Sequence, residues 1–371
     1  MPRHRSLSLR KFIKAVGPSL VEEYFVSRVP QDQLIPYFAG MGMTYEYVKD
    51  LLAGMTDEQL KGKIGEELRR IKGIGEQAMN ILVRVTKSHD IQIDQNETPQ
   101  QIAMRIFLSN RDAFQHAWAL YCYHKSESKV YEYCLACDDF KVGRSDLQAF
   151  AGEVKAFFID QAKGVQCIVN HYEEADESVI MVTHGSFIKT VARWVADEVV
   201  IDSYRPAYED VLLYDKQRSV LQIKASVRKD REQYLKSLGN CILRIPELPE
   251  IAQNNVYDLH PLQDGTFSWE GNEKITQIIP VEAHLKITGS TESTLIMKSV
   301  DVRKAFQEDF DELDFSSGEL TYVRFRITVE TDDGPETITF EIEPPGVSDL
   351  SRKKHCEIIS AYLKENGVQS A

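Results

Sequence analysis

The sequence predicts an α+β protein: a helical N-terminal domain followed by antiparallel-sheet-rich middle and C-terminal domains. Three observations carry this. Apolar residues over 7–90 recur at helical spacing, as in Leu9, Phe12, Ile13 and Val16. After Ser126, short runs rich in Val, Ile and Tyr follow one another with brief turn-like joins, a pattern that favours an antiparallel meander. Near the end, Val323, Phe325, Ile327 and Val329 alternate with Arg324, Arg326, Thr328 and Glu330, which describes a strand with one buried face. These patterns divide the chain into residues 1–125, 126–240 and 262–371, with a loose boundary where Pro246, Pro249 and Pro261 cluster.

In the first domain, Gly17-Pro18 closes the opening helix, and Leu20, Tyr24 and Phe25 start another. Gly40-Met41-Gly42 reads as a turn into Tyr45–Leu52. Thr56-Asp57-Glu58-Gln59 reads as the start of the next helix. Thr98-Pro99 pairs a capping side chain with proline at the first helical position, and Asp112–Tyr123 forms the last helix, with His116 and Trp118 at the core or its edge.

The middle domain reads as a strand over Val130–Phe140, then a helix from the capping box Ser145-Asp146-Leu147-Gln148 to about Lys163. Strands are expected at Val165–Tyr172, Ser178–Lys189, Ala192–Ser203, Glu209–Tyr214 and Val220–Ala225, then a helix at Lys229–Leu238. In the last domain, Lys274–Ile287 and Ser293–Ser299 can join the sheet. Asp332-Asp333-Gly334 turns the alternating strand into Thr337–Glu343, and Ser351–Asn366 is an amphipathic helix.

Charge is unevenly placed. Residues 1–240 hold 32 basic and 33 acidic side chains, and residues 241–371 hold 12 and 24, so nearly all of the net −13 falls in the last third. That field repels phosphates and makes the C-terminal domain a surface for a protein partner rather than a nucleic acid. The first 14 residues carry Arg3, Arg5, Arg10, Lys11 and Lys14 without an acid. No apolar run approaches the ~20 residues needed to span a membrane, and the N-terminus lacks the apolar region of a secretory signal. Six scattered cysteines in 371 residues point to free thiols in a reducing cytoplasm.

One short stretch suggests chemistry by its spacing: Leu68–Leu82, LRRIKGIGEQAMNIL. Leu68 and Ile71 share a helical face, Gly73-Ile74-Gly75 permits a tight turn, and Ala78, Ile81 and Leu82 resume helical spacing. The stretch resembles the helix-hairpin-helix motif of DNA-binding proteins. That resemblance implies that Gly73, Ile74 and Gly75 cradle a backbone phosphate with amides at a helix N-terminus, with Arg69, Arg70, Lys72 and Arg84 as the nearby cations. It covers about fifteen residues, and Glu76 is a poor neighbour for an anion. An ordinary αα-hairpin would use the same glycines.

Other motifs carry less. Cys134 and Cys137 have CxxC spacing but no second pair, so no metal site is expected. VIMVTHGSFIKTVARW (179–194) resembles the second histidine segment of the histidine phosphatases, but the Arg-His-Gly segment that would bring the nucleophile is missing. His184 is instead expected to be exposed beside a turn at Gly185. Asp138-Asp139 with Lys141 does not complete a nuclease pattern, and no phosphate or dinucleotide loop occurs, so no cofactor is expected.

The leading expectation is a cytoplasmic, non-enzymatic protein that contacts DNA through its N-terminal half and another protein through its acidic C-terminal domain. The alternatives are a scaffold or regulatory subunit of a multi-protein complex, such as one in genome defence or DNA processing, and a hydrolase using His184.

Overall fold

A computed structural model describes residues 8–34, 43–94, 96–125, 129–135, 140–195, 197–248, 255–287, 293–310 and 313–370. The start of the basic N-terminal arm, the Gly40-Met41-Gly42 turn, Cys137 and Asp138-Asp139 lie outside these residues. The architecture is α+β, with helices gathered toward the N-terminus and an antiparallel sheet in the middle and C-terminal regions. The chain separates into two compact units, Met1–Lys125 and Ser126–Ala371.

The first unit is helical. Helices α1 (Leu9–Val16) and α2 (Pro18–Val26) meet at Gly17, whose φ of 88° is open to glycine and costly for other residues. Helices α3 (Gln31–Leu34) and α4 (Tyr45–Gly54) lead to the 20-residue α5 (Glu58–Gln77), which the Asp57 side chain caps at two amides. Along α5, Ile64, Leu68, Ile71 and Ile74 recur every three or four residues and are all at most 2% exposed. Each such side chain contributes roughly 1.5–3 kcal/mol of burial, an upper figure because the unfolded chain is already partly collapsed. Helix α6 (Met79–Ser88) follows, then α7 (Pro99–Ser109) with the Thr98–Gln101 capping box complete, and α8 (Arg111–His124). The α5 stripe packs on α7 and α8. Glu67, on α5, accepts hydrogen bonds from Tyr24 and Arg28, each at 2.9 Å, and so ties α2 to it.

The second unit is built on one antiparallel sheet of ten strands, in the order β2-β3-β6-β7-β1-β12-β11-β10-β8-β9. In chain order they are β1 (Tyr131–Cys134), β2 (Cys167–Glu173), β3 (Glu177–Gly185), β6 (Ala207–Asp215), β7 (Val220–Lys224), β8 (Ile275–Ile287), β9 (Ser293–Lys298), β10 (Glu319–Val329), β11 (Glu336–Glu343) and β12 (Val347–Ser348). Two further strands, β4 (Lys189–Val195) and β5 (Glu198–Tyr204), pair with each other and, among the described residues, with no other strand.

The sheet runs through the boundary expected between residues 240 and 262. β1 pairs with β7 on one side and β12 on the other, so the middle and C-terminal segments share a single sheet. At that seam Glu132 is fully buried and accepts hydrogen bonds from Gln222 (3.1 Å) and Tyr257 (3.0 Å). Two apolar clusters flank the seam. One joins α9 (Arg144–Asp160) and α10 (Arg228–Leu238) to the β2–β1 half through Phe150, Phe158, Tyr214, Tyr234 and Leu238. The other holds the alternating face of β10 and β11, where Phe325 lies opposite Phe340 and Ile327 opposite Ile338, against Ile359 and Leu363 of the C-terminal helix (Cys356–Glu365).

Two further expectations are corrected. Ala192–Ser203 is not one strand: it splits into the end of β4 and most of β5, folded back as a hairpin. The helix expected from Ser145 begins at Arg144, and Gly143 stands at its N-cap with no side-chain hydrogen bond there.

Candidate functional site

The turn expected at Gly73-Ile74-Gly75 is absent. All three residues lie within α5, and the helix breaks instead at Ala78, where φ is −141° and ψ is 43°. Amides inside a helix are already donated to carbonyls four residues back, so none faces outward as a phosphate cradle would require. The glycines serve packing instead. A Cβ at Gly75 would lie 2.9 Å from the Cα of Gln100 on α7, and one at Gly73 would lie 3.1 Å from the Tyr121 hydroxyl on α8. Ile74 is fully buried.

The cations beside them are paired. Arg69 and Arg70 both reach Glu66, Arg70 also sits 4.8 Å over the Trp118 ring, and Lys72 lies 3.3 Å from Glu76. Arg84, on α6, is engaged within the protein as well.

His184 is buried rather than exposed, and it anchors a cluster of residues that lie far apart along the chain. It is the penultimate residue of β3, with its ring stacked 4.0 Å from Phe158 of α9. Its Nδ1–H donates to the Gly185 carbonyl at 2.7 Å, and its Nε2 faces Asp210 Oδ2, on β6, at 3.1 Å. The Tyr234 hydroxyl of α10 donates to that same oxygen at 2.7 Å. Burial and the adjacent Asp210 carboxylate push the Tyr234 phenol well above its ordinary value, so it stays a donor. Alongside, Lys163 places its ammonium 2.6 Å from both oxygens of Asp230.

One ligand-type atom each from His184, Asp210 and Asp230 lies within 4.8 Å of the others. Lys163 already supplies a cation to this group, and His184 and Tyr234 fill Asp210, so the donor set does not argue for a metal ion. A hydrolytic role for His184 needs a ring that substrate can reach. Here the ring is 5% exposed, with Phe158 over it.

What the cluster fixes is the neck of the β4–β5 hairpin. β3 ends at Gly185 and β6 begins at Ala207, with the hairpin between them. Arg205 clamps this neck by donating to the carbonyls of Ala162 (2.9 Å) and Ser186, while the Ser186 amide donates to Pro206 O at 2.9 Å. The segment after α9 approaches the end of β3 so closely that a Cβ at Gly185 would lie 2.4 Å from the Lys163 carbonyl.

Beyond the neck the hairpin forms an arm. Phe187, Ile188, Val191, Trp194, Val199, Ile201 and Tyr204 are between 49% and 72% exposed. Residues directly opposite across the strands share a face: Thr190 with Ser203, Ala192 with Ile201, and Trp194 with Val199. That face carries no ionisable side chain. The other carries Lys189, Glu198 and Asp202. A continuous exposed apolar surface of this kind marks an interaction site more often than ordinary surface, and an isolated two-stranded hairpin is marginally stable in water on its own.

No motif marks these arm residues in the sequence. The available signal was the absence of a polar face in FIKTVARWVADEVVIDSY (187–204), where apolar residues occupy both strand parities. Among the described residues no helix is long and apolar enough to cross a membrane. No protein-family model matches the chain, and no curated protein matches it either.

Proposed function

We propose that this chain is a docking subunit, a scaffold or regulatory component of a multi-protein assembly, joined to its partner through the β4–β5 arm. The observation that carries this is an arm with Trp194 72% and Ile201 71% exposed, leaving the sheet beside the buried, hydrogen-bonded His184–Asp210 and Lys163–Asp230 pairs. Tryptophan in such a position is the residue type that most often dominates interface energetics once desolvated. The neck fixes where the arm points, so less freedom is lost on docking than a loose loop would lose.

The test is co-purification from the native host of the full chain and of its Trp194→Glu/Ile201→Glu variant, with a second, differently tagged copy co-expressed. The expected result is a stoichiometric component retained by the unaltered chain and lost from the variant. An identical set of retained components contradicts the reading.

A further inference from the structure

We infer that the partner seated on the uncharged face of the arm is a second copy of this chain; this rests on the docking reading above. Three observations select it. The first is charge. Thr190, Ala192, Trp194, Val199, Ile201 and Ser203 present a face without an ionisable group. Two copies related by a two-fold axis bring identical patches together, and a patch without charge leaves no ion to desolvate between them. The opposite face, with Lys189, Glu198 and Asp202, would have to bury charged groups.

The second observation is area. From the exposures of Trp194, Ile201, Val199 and Ile188, the face and its neck offer roughly 600 Å² per copy, or about 1,200 Å² for the pair, the lower bound for a specific interface. The third is the backbone. Among the described residues neither β4 nor β5 pairs with any other strand, so both outer edges of the arm are unpaired there, and stacking two arms turns two marginal hairpins into a two-layer β structure.

The geometry also specifies a salt response. Each copy carries a net charge of −13, so two copies repel at long range, and salt screens that repulsion while leaving apolar contact intact. Self-association therefore strengthens with salt. A partner recruited by charge complementarity behaves in the opposite way.

The experiment is sedimentation equilibrium, or light scattering on a sizing column, with the purified full chain at low and high sodium chloride. The expected mass is twice the 42.4 kDa of one chain, approached more fully at high salt. Trp194→Glu/Ile201→Glu returns the mass to one chain, and Trp194→Ala weakens association at least several-fold. Val191→Glu, on the charged face of the same arm, leaves the dimer in place. All these positions are exposed on the arm, and an unchanged circular dichroism spectrum verifies that each variant is folded.

A single-chain mass for the unaltered protein at both salts overturns the second-copy inference. If the host co-purification still shows an arm-dependent component, the docking reading survives that failure. A dimer that persists in the Trp194→Glu/Ile201→Glu variant also overturns the inference, because the contact then lies elsewhere.

Discussion

Lys163 holds both carboxylate oxygens of Asp230 at 2.6 Å, with each residue at most 5% exposed. The pair joins the segment after α9 to the first turn of α10, directly beside the neck of the arm. A buried pair of this kind is costly to break from one side, because the surviving charge has no solvent to turn to. Asp230→Asn is expected to cost about 3–5 kcal/mol in urea denaturation, whereas replacing both residues by Lys163→Met with Asp230→Leu is expected to cost far less. A loss below about 1 kcal/mol for Asp230→Asn would mean that water reaches the pair and that the neck is not dry.

The glycines of α5 provide a stability comparison within one helix. Gly62 and Gly65 have nothing within 4 Å of an added Cβ, so Gly65→Ala is expected to stabilise the chain by roughly 0.5–1 kcal/mol through helix propensity. At Gly75 the same gain is opposed by contact with the Gln100 backbone at 2.9 Å, an overpacking cost of about 1–3 kcal/mol, so Gly75→Ala is expected to be net destabilising. Thermal melts of the two variants check the difference in sign. Fluorescence anisotropy with a labelled duplex at low salt is the companion measurement: a loss of DNA affinity specific to Gly73→Asp or Gly75→Asp, without a matching loss of stability, would restore the phosphate-cradle reading.

Acid sensitivity is expected from Glu282, on β8. Burial pushes its carboxyl up, but hydrogen bonds from His284 (2.9 Å) and Lys298 (3.0 Å), with the Arg324 charge at 3.1 Å, outweigh burial and hold it below the ordinary carboxylate value. A carboxyl that is depressed in the fold binds fewer protons there than in the unfolded chain. Its contribution is therefore present above the ordinary value of 4.5 and is lost as pH falls through the folded value. Glu282→Gln is expected to lower stability at neutral pH and to flatten the dependence below 4.5, as read from urea midpoints between pH 3 and 7. An unchanged slope would remove Glu282 as the source.

Much of the fold was legible because its signals are local. Leu9, Phe12, Ile13 and Val16 marked α1 by spacing alone, Thr98-Pro99 marked the start of α7, and the alternation from Val323 to Val329 marked β10 with its buried face. The arm was illegible for a local reason too. Between the end of β4 at Val195 and the start of β5 at Glu198 the sequence has neither glycine nor asparagine, so Ala192–Ser203 reads as one uninterrupted strand. Gly73 and Gly75 misled in the opposite direction, because glycine permits close helix packing as readily as it permits a turn. The neck cluster joins residues 26 to 67 positions apart, His184 to Asp210 and Lys163 to Asp230, and only the strand order brings such residues together.

Docking on the arm would cover it in the assembled protein. Hydrogen–deuterium exchange of the segment 187–204 tests it most directly, with the isolated chain compared at low and high concentration and in its co-purified assembly. Rapid exchange along β4 and β5 is expected in the dilute chain, with marked protection once assembled and loss of that protection in Trp194→Glu. Exchange at 187–204 that stays equally fast in the dilute chain, the concentrated chain and the assembly would contradict it.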